Sequence, residues 1–254
     1  MYGIMIGVGV MAAFLILSFY CKKAGVSQKF SDFFFYNGLL SVAVGFGSAS
    51  LFQSVYDYIE NPSKGFRFGD RITFIGGLIG GVIFFLLVYF IVRKRIDGKL
   101  SQMLSIVPCC ITVAHAFGRI GCFFAGCCYG KATDSFLGVK FPQLAYKVHP
   151  TQLYEAAFLF LLFAVMAYLV FCKGFKHNMS VYLICYGIFR FLIEFLRDDH
   201  RGALVAGMSP SQFWSVLMVV LGIVLIFLYG RFLAKTDYEE DVVGGTDDEE
   251  SRED

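Results

Sequence analysis

The sequence predicts an all-α, polytopic membrane protein with seven transmembrane helices, its N-terminus outside and its C-terminus in the cytoplasm. Of the 254 residues, 57% are hydrophobic and 18% are aromatic, whereas only 17% are charged. This composition is too apolar for a soluble globular protein of this size. The charge is also uneven, because ten of the twenty acidic residues lie in the last eighteen positions.

This asymmetry predicts two parts, a membrane domain over residues 1–235 and a disordered acidic cytoplasmic tail over residues 236–254. Without the tail, the chain has 21 basic and 10 acidic residues. An excess of positive charge at a membrane favours anionic lipid as a partner. We therefore expect membrane lipid, and no nucleic acid, among the partners.

Seven apolar runs set the spans, and basic residues at their ends set the orientation. Lys22 and Lys23 follow the first run, and Arg93, Lys94 and Arg95 close the third, which marks cytoplasmic ends. The second run is rich in glycine and serine, a pattern that lets helix backbones approach closely. The predicted spans are residues 3–20, 33–56, 74–92, 104–117, 156–171, 181–196 and 213–233.

The segment that follows the fourth run, residues 118–130 (GRIGCFFAGCCYG), is the signature segment. It places Arg119 at the edge of the hydrocarbon, where a charge costs a few kcal/mol or more unless it meets a counter-charge, a cavity or a headgroup. The fourth run is short for a membrane about 30 Å thick. We therefore expect irregular backbone here, lining a cavity.

The sixth span carries Tyr186, Arg190, Glu194 and Arg197 at helical spacing on one face. One interpretation is a structural Arg190–Glu194 ion pair. If Arg119 joins this pair, two guanidiniums and one carboxylate leave a spare positive charge for an anion such as a phosphodiester.

Two histidines have a functional and a structural interpretation. His149 and Glu155 flank the start of the fifth span, where we favour a helix-capping loop in which Thr151 or Gln152 closes the first turn. His115 precedes the signature segment and could act as a base, but a buried hydrogen-bonded histidine is favoured.

Three cysteines of the signature segment, Cys122, Cys127 and Cys128, form a C-x4-C-C pattern. Such a pattern could bind metal, form a disulfide or stay reduced. No histidine stands at zinc-finger spacing, and free cysteine generally behaves as a small buried hydrophobe. We favour packing, and we predict no metal and no cofactor.

Five motifs together resemble the prolipoprotein diacylglyceryl transferase family over nearly the whole membrane region. They also include the Ser209–Gln212 segment before the last span. The two longest motifs, around His149 and around Tyr186, are the most specific. The motifs are Tyr2-Gly3, Gly76-Gly77-Leu78-Ile79-Gly80, Gly118-Arg119-Ile120 with Gly130, His149-Pro150-Thr151-Gln152-Leu153-Tyr154-Glu155, and Tyr186-Gly187-x-x-Arg190-Phe191-x-x-Glu194-Phe195-x-Arg197.

The resemblance implies a bacterial inner-membrane enzyme of lipoprotein biosynthesis, with its active site towards the outer face. It would move the diacylglyceryl group of phosphatidylglycerol onto the lipobox cysteine thiol of a prolipoprotein signal peptide. Arg119 and Arg190 would bind the phosphate, Glu194 would orient them, and Tyr2 or Tyr186 would hydrogen-bond lipid or thiol. The further substrate-binding positions implied are Arg197, Gly76, Gly77, Gly118, Gly130, Cys122, Cys127 and His149.

Four features depart from the family pattern. Ile75 replaces a histidine, Cys122 an asparagine and Cys127 a glutamate, and an arginine that the family commonly carries in its second span has no counterpart near Gly45 to Phe52. Cys122 or Cys127 could supply a thiolate if Arg119 lowers its pKa. The alternatives are a homologue that uses another acceptor, or one that binds anionic phospholipid without turnover. A transporter or channel is a third alternative, although the chain shows no pair of matching halves.

Overall fold

The computed structural model describes residues 1–60, 62, 65–69, 73–98, 100–197 and 209–228. Within these residues the chain forms seven α-helices and no β-strand, only isolated β-bridges. Short 3-10 turns occupy Leu100–Gln102 and Glu194–Leu196. The helices are α1 (Tyr2–Lys23), α2 (Gln28–Glu60), α3 (Phe74–Val92), α4 (Val107–Phe124), α5 (Thr151–Lys173), α6 (Asn178–Ile193) and α7 (Pro210–Leu228).

Six of these helices, all but α3, are long and apolar enough to cross a membrane. In α3 the stretch Gly76–Val92 is a shorter apolar helix. Protein covers a minor part of these six helices, since between 11% and 33% of each apolar window is buried inside the structure. Apolar surfaces that protein leaves uncovered suit a lipid environment. The helical backbone suits it as well, because its polar groups hydrogen-bond to one another within the helix. The all-helical membrane class is confirmed, and the seven-span count and the orientation stay predictions.

The chain divides into two compact units, of which the first comprises residues 1–17 and the chain from residue 103 onward. Its helices α4, α5 and α6 pack together around a polar contact at Asn178, which is fully buried. The side-chain amide of Asn178 donates to the carbonyl oxygens of Ser105 and Met166, at 3.1 and 3.0 Å. These bonds fix the start of α6 against α5 and the chain that leads into α4.

Between α4 and α5, residues 125–150 form a loop that is held by backbone pairing. Val148 pairs with both Val139 and Ala132, and Gly130 pairs with Arg197 beyond α6. The ring of Phe141 packs edge-on against Phe123 with centroids 5.4 Å apart. The loop is therefore attached to both the end of α4 and the end of α6.

The second unit, residues 18–102, is built on a hairpin of α2 and α3. Its glycines allow close backbone contact, as the small-residue pattern predicts. A Cβ added at Gly77 would lie 3.1 Å from the Gly45 carbonyl oxygen, and a Cβ added at Gly76 would lie 2.6 Å from the Phe52 Cβ, so larger residues would not fit without a shift. At the other end of the hairpin, the rings of Phe34 and Phe85 meet edge-on at 4.9 Å.

The predicted boundaries of α2, α4 and α5 are wrong, and α5 begins at Thr151 where residue 156 was predicted. Helix α4 continues to Phe124, so Arg119 lies in regular helix. Irregular backbone begins only after Phe124. Helix α2 begins at Gln28 and runs to Glu60, beyond both ends of the predicted span. The acidic tail, residues 236–254, and the end of the predicted seventh span, residues 229–233, lie outside the described residues.

Candidate active site

A buried ion pair joins α4 to α5. The Arg119 Nε lies 3.1 Å from the Glu155 Oε1, and the Glu155 side chain is fully buried. The Tyr186 hydroxyl, from α6, donates to the same carboxylate oxygen at 2.7 Å. Three helices therefore meet at Glu155, and its charge is balanced by a guanidinium and a hydrogen-bond donor.

His115 belongs to the same cluster, one helical turn before Arg119. The Arg119 Nε–H donates to the His115 Nε2 at 3.2 Å, and this nitrogen lies 3.7 Å from the Glu155 Oε1. The His115 ring also meets the Tyr186 ring edge-on, with centroids 5.0 Å apart. The hydrogen bond predicted for this histidine is confirmed, but its side chain is 24% exposed and not fully buried. It contacts the guanidinium of the signature segment.

A second ion pair lies at the end of α6, and hydrogen bonds join it to the start of α7. Arg190 Nη1 lies 2.7 Å from the Glu194 Oε2, which confirms the predicted pair one turn apart. Arg190 Nη2 also donates to the Ser211 Oγ at 2.8 Å, and the Ser209 Oγ donates to the Glu194 Oε1 at 2.8 Å. Arg197 follows, with its Nε 3.9 Å from the Glu194 Oε2. The serines before the last span thus complete this cluster.

The two clusters are joined through α6, since Tyr186 contacts Glu155 and Arg190, one turn further on, pairs with Glu194. Together, Arg119, Arg190 and Arg197 place three guanidiniums beside the two carboxylates of Glu155 and Glu194. Counted over these arginines and carboxylates alone, the cluster carries one positive charge in excess, with one more arginine and one more carboxylate than the sequence argument used. Such a surplus in an apolar surrounding favours an anion.

The role predicted for Glu155, a residue of a helix-capping loop, is wrong. The signal for its true position is the stripe on α5 to which it belongs: Thr151, Glu155, Leu159, Leu162 and Met166 recur every three or four residues and are all buried. A carboxylate in an otherwise core-facing stripe needs a buried partner. Arg119 is that partner.

The predicted cap is also absent, since α5 starts with Pro150 at the N-cap position and makes no side-chain capping bond. Thr151 Oγ1 instead donates to the Cys128 carbonyl oxygen at 2.9 Å, and Gln152 Nε2 to that of Cys127 at 2.6 Å. His149 Nδ1 lies 3.3 Å from the Tyr154 hydroxyl. This motif therefore holds the cysteine loop in place.

The three thiols of the signature segment lie together, with their sulfur atoms all within 4.8 Å of one another. The pKa of the Cys128 thiol falls to about 5, chiefly because Cys122 hydrogen-bonds to it and because Arg197 adds a positive charge. Burial raises the pKa of Cys127. The thiol predisposed to ionise is therefore Cys128, beside Arg197. The sequence had suggested Cys122 or Cys127, beside Arg119.

Residues 1–228 match the family model for prolipoprotein diacylglyceryl transferase, which covers all the described helices. The chain belongs to this family. Similar proteins include the phosphatidylglycerol–prolipoprotein diacylglyceryl transferase of Clostridium tetani, 35% identical over 91% of this chain and 93% of that protein. The second enzyme of this name from Clostridium perfringens is 32% identical over 88% of each chain. The enzyme from Finegoldia magna is 29% identical over 93% of each.

In this member of the diacylglyceryl transferase family, the glycines of the motifs have different surroundings. A Cβ added at Gly118 would have no heavy atom within 4 Å, so open space lies next to Arg119. A Cβ at Gly130 would lie 2.5 Å from the Leu196 carbonyl oxygen. Gly130 is thus needed for the pairing that fixes Arg197, and Gly118 is a position that a substrate could approach.

The remaining predicted residues divide between the two units. Tyr2 lies against Gly121, and its hydroxyl is close enough to the three thiols and to Arg119 to interact electrostatically with them. Gly76 and Gly77 lie in the second unit, where they pack against α2. A substrate-binding role for this glycine pair stays a prediction.

Proposed function

We propose that this chain transfers the diacylglyceryl group of phosphatidylglycerol to the lipobox cysteine thiol of a prolipoprotein, the first substrate being a membrane lipid and the second a signal peptide. The observation that carries the proposal is the buried cluster of three guanidiniums and two carboxylates in a helical membrane protein of this family. The name shared by the relatives supports catalysis over lipid binding without turnover.

The phosphate of the lipid would bind first at Arg119. Its side chain is 20% exposed, against 11% for Arg190 and 3% for Arg197, so it is the most accessible of the three guanidiniums. Open space adjoins it at Gly118. A guanidinium can bind two phosphate oxygens at once, and the surplus positive charge matches the single negative charge of a phosphodiester.

The reaction is a nucleophilic displacement at a glycerol carbon. A bond forms between the sulfur of the acceptor cysteine and that carbon, and the carbon–oxygen bond to phosphate breaks. Glycerol phosphate leaves with the electron pair, and the thiol proton offsets the charge it takes away. Positive groups fixed around the leaving phosphate stabilise the charge that develops on it.

The carboxylates act as positioning residues. Glu155 and Glu194 each hold one guanidinium in a fixed place before substrate binds, so no reorganisation is needed during the reaction. Tyr186 holds Glu155, and Tyr2, beside the signature segment, is the hydroxyl that would hydrogen-bond the lipid or the acceptor thiol.

We further propose that the chain is a multi-pass protein of the bacterial inner membrane with seven spans, its N-terminus outside, its acidic tail in the cytoplasm and its active site towards the outer face. Basic residues at the ends of the first and third spans support this orientation. The acceptor supports it as well, because a lipobox cysteine reaches the outer surface with its exported precursor.

Complementation tests the function. A bacterium depleted of its own diacylglyceryl transferase is given this chain, and the mass of a reporter lipoprotein is measured. Growth with a diacylglyceryl adduct on the reporter cysteine is expected from the wild-type chain and from a control with the exposed Asp134→Asn change, and no adduct from Arg119→Ala. A well-expressed, membrane-inserted wild-type chain that yields no adduct would refute the proposal.

A further inference from the structure

Three thiols converge at the end of α4, and the transfer proposed above gives them no chemical step. The sulfur atoms of Cys122, Cys127 and Cys128 all lie within 4.8 Å of one another. Cys127 is exposed and the other two are partly buried, so the cluster can be reached from outside. Convergence of three sulfurs, where a disulfide would need only two, points to a ligand that binds all of them.

The backbone is built to bring these thiols together. Cys128 adopts φ 65°, the one positive φ of a non-glycine residue among the described residues, and this conformation costs about 1–2 kcal/mol. The carbonyl groups on either side are held by the buried side chains of Thr151 and Gln152, at 2.9 and 2.6 Å. The surrounding fold thus enforces a strained conformation that turns the Cys128 side chain towards Cys122.

The distances between the three sulfur atoms fit a thiophilic cation. With metal–sulfur bonds of about 2.3 Å and tetrahedral angles, zinc thiolates place their sulfurs about 3.8 Å apart, which small side-chain rotations can reach within the observed limit of 4.8 Å. Arg197 lies close enough to Cys128 for its positive charge to act on that thiol, as the partners behind a first ligand shell commonly do.

We propose that Cys122, Cys127 and Cys128 form a binding site for a thiophilic divalent cation of the zinc class, with a fourth coordination position open. On binding, the S–H bonds that are still present break heterolytically, their protons go to solvent and three sulfur–metal bonds form; no oxidant or reductant is required. The site cross-links the end of α4, which carries Arg119, to the loop before α5, which carries Glu155. It therefore stiffens the segment next to the active site without taking part in transfer.

A cobalt or cadmium titration of the purified, reduced full chain tests this site, because thiolate ligands give these metals charge-transfer absorption that other ligands do not. One equivalent per chain is expected to produce the band. Cys122→Ser and Cys128→Ser are each expected to raise the Kd by more than about 100-fold, beyond the loss typical of altered second-shell partners. Cys172→Ser is the matched control, since Cys172 is exposed at the far end of α5, and its Kd is expected to be unchanged.

X-ray absorption of the zinc-loaded wild-type chain identifies the atoms bound to zinc. This measurement needs no variant, so it does not depend on whether the cysteine variants fold. Three sulfur neighbours at about 2.3 Å are expected. A first shell of nitrogen and oxygen alone, a missing charge-transfer band, or equal Kd values in the wild-type chain and the Cys128→Ser variant would each overturn the proposal and leave the thiols as packing residues or as a disulfide pair.

Discussion

The Glu155→Gln substitution probes the ion pair at the centre of the account. Glu155 is fully buried, with Arg119 Nε at 3.1 Å and the Tyr186 hydroxyl at 2.7 Å from one of its oxygens. Glutamine keeps the shape and an acceptor but removes the charge, so Arg119 is left as a buried cation without its counter-charge. Breaking a buried pair in this way costs about 3–5 kcal/mol, and we expect that loss in the free energy of unfolding.

Equilibrium unfolding in mixed detergent micelles measures this loss, with Asp134→Asn as the exposed control. The double variant Arg119→Gln/Glu155→Gln removes both charges together. The double variant is therefore expected to be more stable than Glu155→Gln alone. Neither variant is expected to transfer the diacylglyceryl group: the double variant lacks the guanidinium that binds the lipid phosphate, and in Glu155→Gln that guanidinium is no longer held in place. If the losses of stability in the two single variants simply add in the double variant, the two side chains are not coupled and the reasoning fails.

Three further substitutions test single contacts. Gly118→Ala is expected to keep the free energy of unfolding or to raise it by up to about 1 kcal/mol, because the added Cβ would enter open space. A higher KM for lipid in a folded variant would place substrate in this space. An unchanged KM would remove Gly118 from the binding site. Gly130→Ala is expected to destabilise the chain and lower activity, because its Cβ would lie 2.5 Å from the Leu196 carbonyl oxygen; a wild-type unfolding curve would contradict this. Asn178→Ala removes two buried hydrogen bonds and is expected to cost about 1–3 kcal/mol, and full stability in unfolding experiments would show that water replaces the amide.

Local patterns were sufficient for the helices and for the Arg190–Glu194 pair. Apolar runs locate helices because a membrane span must satisfy its own backbone, and residues four apart on a helix are neighbours in any fold. The extent of α4 could not be found in this way, because the apolar run before it is short and the glycines that follow suggested irregular backbone, where the structure keeps the helix to Phe124.

Contacts between helices were beyond the sequence argument. Arg119 and Glu155 are 36 positions apart, and their pairing depends on how α4 and α5 pack. The buried stripe on α5 offered a signal that Glu155 faces the core, yet it did not name the partner. The φ of Cys128 likewise follows from bonds made by Thr151 and Gln152, which a spacing of cysteines alone does not reveal.

The most direct test of the proposed function is transfer by the purified chain in phosphatidylglycerol vesicles, with a prolipoprotein peptide as acceptor and mass spectrometry as readout. The wild-type chain is expected to add a diacylglyceryl group to the lipobox cysteine and to release glycerol phosphate. The Arg119→Ala variant, folded as judged by its unfolding curve, is expected to be slower by at least about 100-fold. Transfer at an unchanged rate by that variant would contradict the assignment of the arginine cluster as the site that binds the phosphate.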